Sequence, residues 1–141
     1  MVIPKFTAWM KFDEYKNISE KNSPGIYLLA TFNKKPTGRA NPLAPEIFYI
    51  GETTKQNLAK RLYQFSRSAF SRKSAHSGGW SYSKHILKNQ PRKAAPKNLY
   101  VAVISINKSE PENTIYIKLA ERTLLWNYFK KNNSPPNCNK I

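Results

Sequence analysis

The sequence carries a single cysteine, Cys138, in 141 residues. That excludes an intrachain disulfide and any cysteine-rich zinc site, and it fits a reducing compartment. No apolar run approaches the ~20 residues that a membrane span needs, and neither a secretory leader pattern nor a lipidation motif is present. These absences predict a soluble, intracellular protein. No internal repeat, zinc finger, helix-turn-helix or other appended DNA-reading module is visible. Acidic residues are the second scarcity: 8 Asp+Glu stand against 24 Lys+Arg, a formal net charge of +16. A field of that sign attracts polyanions, and counterion release makes nucleic-acid phosphate its natural partner. Acidic membrane competes for the same charge, but no basic amphipathic helix with a clean apolar face supports it. The length predicts one domain, residues 1–141, around a core of modest size.

Two short apolar runs organise the chain. Gly25-Ile26-Tyr27-Leu28-Leu29-Ala30 and Ile47-Phe48-Tyr49-Ile50-Gly51 read as buried strands, each with one tyrosine. The segment between them, residues 33–45, holds three prolines and the basic residues Lys34, Lys35 and Arg39. Loops of that length are uncommon unless functional or disordered. It is therefore either an inserted loop that contacts phosphate or enters a groove, or a solvated insertion. Within the N-terminal extension, residues 1–23, the aromatic residues Trp9, Phe12 and Tyr15 recur at roughly helical spacing. They predict a short helix packed on the sheet, with base stacking as the alternative use of such aromatics.

Beyond Gly51, Leu58, Leu62, Phe65 and Ala69 form one stripe and predict a helix from about 55 to 70, with Arg61 at the stripe's edge beside the sheet. His76-Ser77-Gly78-Gly79 breaks that helix, and Trp80 to Lys88 reads as a second one. Asn98 to Ile106 has the β-branched richness of a third strand. A long final helix opens at Pro111 with early carboxylates and ends before Asn132-Asn133-Ser134-Pro135-Pro136. The expected architecture is α+β: a small three-stranded antiparallel sheet flanked by helices. Candidate nucleic-acid contacts are Lys34, Lys35, Arg39, Arg67, Arg72, Lys73, Lys84, Arg92 and Lys93.

One carboxylate stands in an unusual place. Glu121 has Ile117 four residues before it, Leu124 and Leu125 three and four after, and Tyr128 seven after. A glutamate among apolar neighbours is costly unless paired or metal-bound, which leaves a salt bridge and a metal site as the two readings. Phosphodiester hydrolysis needs an activated water, a positive group on the charge gathering at phosphorus, and stabilisation of the leaving oxygen. A cation held by one carboxylate and the substrate's own oxygens suits Mg²⁺, or Mn²⁺.

Gly25-Ile26-Tyr27 and Tyr49-Ile50-Gly51 resemble the signature of the GIY-YIG nuclease superfamily, whose members cut DNA with a divalent metal. The order of parts resembles that family as well: two tyrosine strands, a helix with an arginine, a later helix with a glutamate, then a proline-rich turn and an asparagine. On this resemblance Arg61, with Leu62 and Gln64 around it, matches the helix arginine, and Glu121 in Leu119-Ala120-Glu121-Arg122 matches the metal ligand. Pro135-Pro136-Asn137-Cys138-Asn139 resembles the terminal turn, with Asn139 as the amide and Asn133 or Asn137 as alternatives.

The resemblance implies a metal-dependent endonuclease of a phage, mobile-element or restriction type, acting on double-stranded DNA. Tyr27 would be the base, Tyr49 a supporting group and Arg61 the ligand of the scissile phosphate. A phenol with an unperturbed pKa of about 10 is a poor base at neutral pH and needs help. Three features depart from the pattern. Phe65 stands where many members carry His or Tyr, leaving His76, Tyr63 or His85 to supply that group. The loop 33–45 is long, and the asparagine lies far beyond Glu121. The alternatives are a nucleic-acid-binding module that kept the fold and lost catalysis, and an RNA-associated basic protein.

Overall fold

The computed structural model describes residues 1–141. Its elements in chain order are β1 (Met10–Lys11), a 3₁₀ segment (Phe12–Asn17), β2 (Gly25–Thr31), β3 (Ile47–Thr53), α1 (Leu58–Phe70), α2 (Ser77–His85), β4 (Leu99–Ser105) and α3 (Glu112–Asn132). The strands form one antiparallel sheet in the order β1-β4-β2-β3. The sheet thus has four strands where the sequence predicts three. The additional strand is only Met10 and Lys11, set opposite Val101 and Tyr100. Two residues are too few for any hydrophobic period to show.

The fold is α+β, with helices on both faces of the sheet. Alternation along β2 sends Tyr27 and Leu29 to one face and Ile26, Leu28 and Ala30 to the other, and both sets are buried. The first face packs on Leu58, Leu62, Phe65 and Ala69 of α1, together with Phe12, Tyr15 and Tyr82. The second packs on Ile117, Ala120, Leu124 and Tyr128 of α3. A bulge shifts the β2–β3 register between Leu29 and Ala30, so that Leu29 faces Tyr49 and Ala30 faces Ile47. The extra residue lets Phe48 and Tyr49, neighbours in sequence, both join the α1 face.

Local chemistry sets the element ends. The Asn57 side chain accepts from the Lys60 N–H at 2.8 Å and caps α1, while Asn133 ends α3 in the left-handed conformation. The predicted N-terminal helix is reduced to the 3₁₀ segment. Phe12 and Tyr15 of that segment enter the α1-side core, whereas Trp9 lies across the sheet and packs edge-on against Phe32 at 5.1 Å. No helix is long and apolar enough to cross a membrane.

Candidate active site

Tyr27 of β2 stands opposite Gly51 of β3. A Cβ on Gly51 would lie 2.6 Å from Tyr49 Cε2 and would overlap the Tyr27 ring. Glycine is therefore required there because both phenol rings cross the space above its backbone. The ring centroids are 6.0 Å apart, which makes the two tripeptides one unit. The N-terminus of α2 closes on the pair: the His76 ring lies 5.5 Å from Tyr49, 6.1 Å from Tyr27 and 5.5 Å from Phe65.

The His76 hydrogen bonds define its tautomer. Its Nδ1 accepts from the Gly79 N–H at 3.1 Å, so the neutral ring carries its proton on Nε2. Nε2 stands 2.7 Å from the Tyr27 hydroxyl oxygen, and His76 is consequently the donor in that bond. Burial, with the Arg61 charge adding to it, lowers the His76 pKa to about 3. The imidazole stays neutral at physiological pH and supports the Tyr27 oxygen without taking its proton. The sequence places His76 in a helix break, but the structure makes it the α2 cap, filling the space beside Phe65.

Tyr27 and Tyr49 differ in access. Tyr27 has no exposed surface, and burial raises its pKa well above 10, reinforced by Tyr49 and opposed by Arg61. Tyr49 is also buried but retains 9% exposure. Burial raises its pKa too, while the Ser77 hydroxyl and the Arg61 guanidinium favour its phenolate. Arg61 of α1 donates from Nη1 to Gln64 Oε1 at 2.9 Å, so the glutamine one turn on steadies the guanidinium.

Glu121 approaches from α3. Its side chain retains 18% exposure and makes only a 3.6 Å pair with the exposed Arg122. Burial raises its pKa and the Glu52 charge adds to the rise, against Arg122 and Lys118. Glu52 is a residue the sequence reading missed. It directly follows Tyr49-Ile50-Gly51, shares the α3 face with Ile50, and its Oε2 is buried without a hydrogen-bond partner. Its only sequence signal is a carboxylate on the strand that carries the second tyrosine. No group of three or more His, Cys, Asp or Glu comes together. Glu52 and Glu121 offer oxygen donors only, and an orphaned carboxylate that acts on a desolvated one fits a hard divalent cation that keeps most of its waters.

Asn139 reaches β3 without reaching the phenols. Its Oδ1 accepts from the Ile50 N–H and its Nδ2 donates to the Ile50 carbonyl, both at 2.9 Å. Cys138 N–H also bonds the Phe48 carbonyl at 2.8 Å, so the C-terminal tail covers this edge strand. Of the two alternative amides, Asn133 is the α3 cap and Asn137 is exposed.

The basic residues divide. Lys34 and Lys35 are exposed, but Arg39 is built into the fold: Nη1 donates to the Phe6 carbonyl at 3.0 Å, and Arg39 bridges to Ala8. The loop is thereby stitched to the N-terminal segment. Arg67, Arg92 and Lys93 line one groove with Tyr63 and Lys16. Arg72 and Lys84 line a second with Trp80 and Lys140, where Arg72 lies 5.7 Å from the Trp80 ring. Lys73 is exposed between them in sequence, and His85 is exposed at the end of α2. The molecule forms only two ion pairs, Lys108 with Glu112 and Arg122 with Glu121, so none of these cations is neutralised by a carboxylate. No family model, curated protein or solved structure matches the chain.

Proposed function

We propose that the chain is a metal-dependent endonuclease of the GIY-YIG type that hydrolyses phosphodiester bonds in DNA. What supports this reading is that Tyr27, Tyr49, Arg61 and His76 come together on the α1 face of the sheet, while Glu121, from α3 on the other face, acts on the Tyr49 charge. Tyr49 is the less deeply buried of the two phenols and takes the proton-accepting role that the sequence resemblance gives to Tyr27. It must be a phenolate to do so, and Arg61 and Ser77 favour that form against burial. Tyr27 lies behind it, its oxygen held by the His76 N–H.

Arg61 binds the scissile phosphate and offsets charge in the transition state. Glu121, with Glu52 acting on it, would hold Mg²⁺ or Mn²⁺, and the cation would supply positive charge to the phosphate and the leaving oxygen. Asn139 fixes Ile50 and so the strand between Tyr49 and Gly51. The two grooves, in each of which cations outnumber carboxylates, hold the DNA backbone.

A second reading, a DNA-binding module without catalysis, is favoured by the burial that keeps both phenols protonated. Supercoiled plasmid with Mg²⁺ separates the two. The nuclease nicks or linearises it, and Glu121→Ala and Tyr49→Phe abolish cutting while binding persists. Salt-sensitive binding with no cutting of any DNA assigns the module instead.

A further inference from the structure

We propose that the groove around Trp80 is a stacking site for one unpaired nucleotide of a DNA strand, a use beyond the backbone contact it offers as a basic surface. Trp80 is 36% exposed, although Gly79, Ser81 and Tyr82 on either side of it in α2 are buried. Its indole is already oriented, because Nε1 donates to the Ser74 carbonyl at 2.9 Å. The Arg72 guanidinium lies 5.7 Å from the ring centre. Lys84 and Lys140 complete the wall, and no carboxylate lines the groove. An exposed aromatic ring among cations is the arrangement that binds single strands: a base stacks on the ring and its phosphates meet the charges. Arg72 also occupies a backbone position that suits glycine better. It follows the α1 cap in the left-handed conformation, with φ of 56°, and the next N–H returns to the Arg67 carbonyl at 2.9 Å. The side chain kept there sets a planar cation at the groove.

Size and charge select the occupant. The groove holds about 200 Å³, below the ~300 Å³ at which cofactor and small-molecule sites begin. That is room for one flat base, with its phosphates outside on Lys84 and Lys140. A paired base cannot use the site, because its neighbours in the duplex stack cover both its faces. Ser81 and Asn89 add hydrogen-bonding groups for the base edge. The other strongly exposed indole, Trp126, lacks this setting: its groove holds one cation, Arg122, among apolar residues. Both walls of the Trp80 groove hang on the elements that hold Tyr49. Trp80 is two residues along α2 from Gly78, which packs against the Tyr49 ring, and Lys140 follows Asn139, which bonds Ile50. That the strand is DNA, and that the bond to be cut lies beside this nucleotide, rests on the nuclease reading. The stacking itself needs neither metal nor cleavage.

Binding of the full chain without divalent cation tests this on two strands of equal charge, a thymidine oligomer of about twelve nucleotides and its abasic counterpart. The expected result is tighter binding of the intact strand by about five- to a hundredfold, with a fall in tryptophan emission that the abasic strand does not cause. Trp80→Ala should bring the two strands close to one affinity. Trp80→Phe keeps a ring face, so it should retain the preference and lose the fall in emission. Trp126→Ala should leave both in place. Arg72→Gly, at a position that suits glycine, should keep the fold and lower the dependence of log affinity on log salt by about 0.7 for each strand. Equal binding of the two strands by wild type, a fall in emission that survives Trp80→Phe, or a preference that Trp126→Ala removes would each overturn the proposal. Tighter binding of oligouridine would overturn the DNA assignment, and thymidine monophosphate competing as well as the strand would overturn the strand itself. Failure to cut plasmid would strike the nuclease reading and leave these measurements as they stand.

Discussion

Asn139 satisfies both backbone groups of Ile50, accepting from its N–H and donating to its carbonyl at 2.9 Å each. One side-chain amide does there what a further strand would do. Pro136 and Cys138, just before it on the chain, are buried, so the tail is anchored as it reaches the contact. Asn139→Ala is expected to cost about 1–3 kcal/mol in denaturant unfolding, the penalty of stripping partners from half-buried backbone groups. Asn139→Asp should cost more than a neutral exchange, because it keeps the acceptor and removes the donor that the carbonyl needs. If both variants match the wild-type midpoint, the amide is not anchoring β3.

Gly78 tests how tightly α2 is seated. A Cβ there would lie 2.6 Å from Tyr49 Cε1, inside any real contact distance. On helix propensity alone, Gly78→Ala should stabilise by about 1 kcal/mol. The clash wins, because the ring has Gly51 on its other side and nowhere to move. The expected outcome is a net loss of about 1–3 kcal/mol and a weakened His76–Tyr27 bond, read by thermal melting and tyrosine fluorescence. A variant more stable than wild type would show that α2 sits farther from the sheet.

The three long strands and both main helices were legible because each lies on a strong hydrophobic period. Three parts were not. β1 is two residues, below any period. His76 reads as a helix breaker beside Gly78 and Gly79, because glycines that permit close approach look the same in sequence as glycines that end a helix. Glu52 reads as a strand-end charge, and nothing in the sequence shows that its Oε2 is buried without a partner. Arg39 shows the converse: a loop cation read only as a phosphate contact is exposed and also donates to the Phe6 carbonyl, a structural bond with no sequence signal.

His76 makes stability depend on pH in a definite direction. Its folded pKa is about 3 against an ordinary 6.5, so between those values the unfolded chain binds the proton and the folded one does not. Its contribution is complete above pH 6.5 and is lost as pH falls toward 3. Each unit is worth ~1.4 kcal/mol, so the loss reaches several kcal/mol at the acid end. Chemical denaturation of wild type at stepped pH should show this slope, and His76→Gln should flatten it. His85→Gln, at an exposed site, should leave it unchanged. Equal slopes for wild type and His76→Gln would mean that the imidazole titrates normally in the folded protein.

On the proposed nuclease reading, Arg61→Ala separates catalysis from attachment. The chain carries 24 Lys+Arg, so deleting one cation leaves the backbone contacts of bound DNA nearly intact. Arg61→Ala should therefore lower the dependence of log affinity on log salt by about one phosphate contact at most, while the cleavage rate falls by on the order of a hundredfold or more. A second effect follows from its position. Arg61 favours the phenolates of Tyr27 and Tyr49, and without it both pKa values rise further. The rate of a reaction that uses the Tyr49 phenolate climbs with pH, so in the variant that climb should move to higher pH. Single-turnover cleavage across pH, with affinity measured on the same DNA, reads both. A rate loss no larger than the affinity loss, with an unmoved pH profile, would reduce Arg61 to one phosphate contact among many.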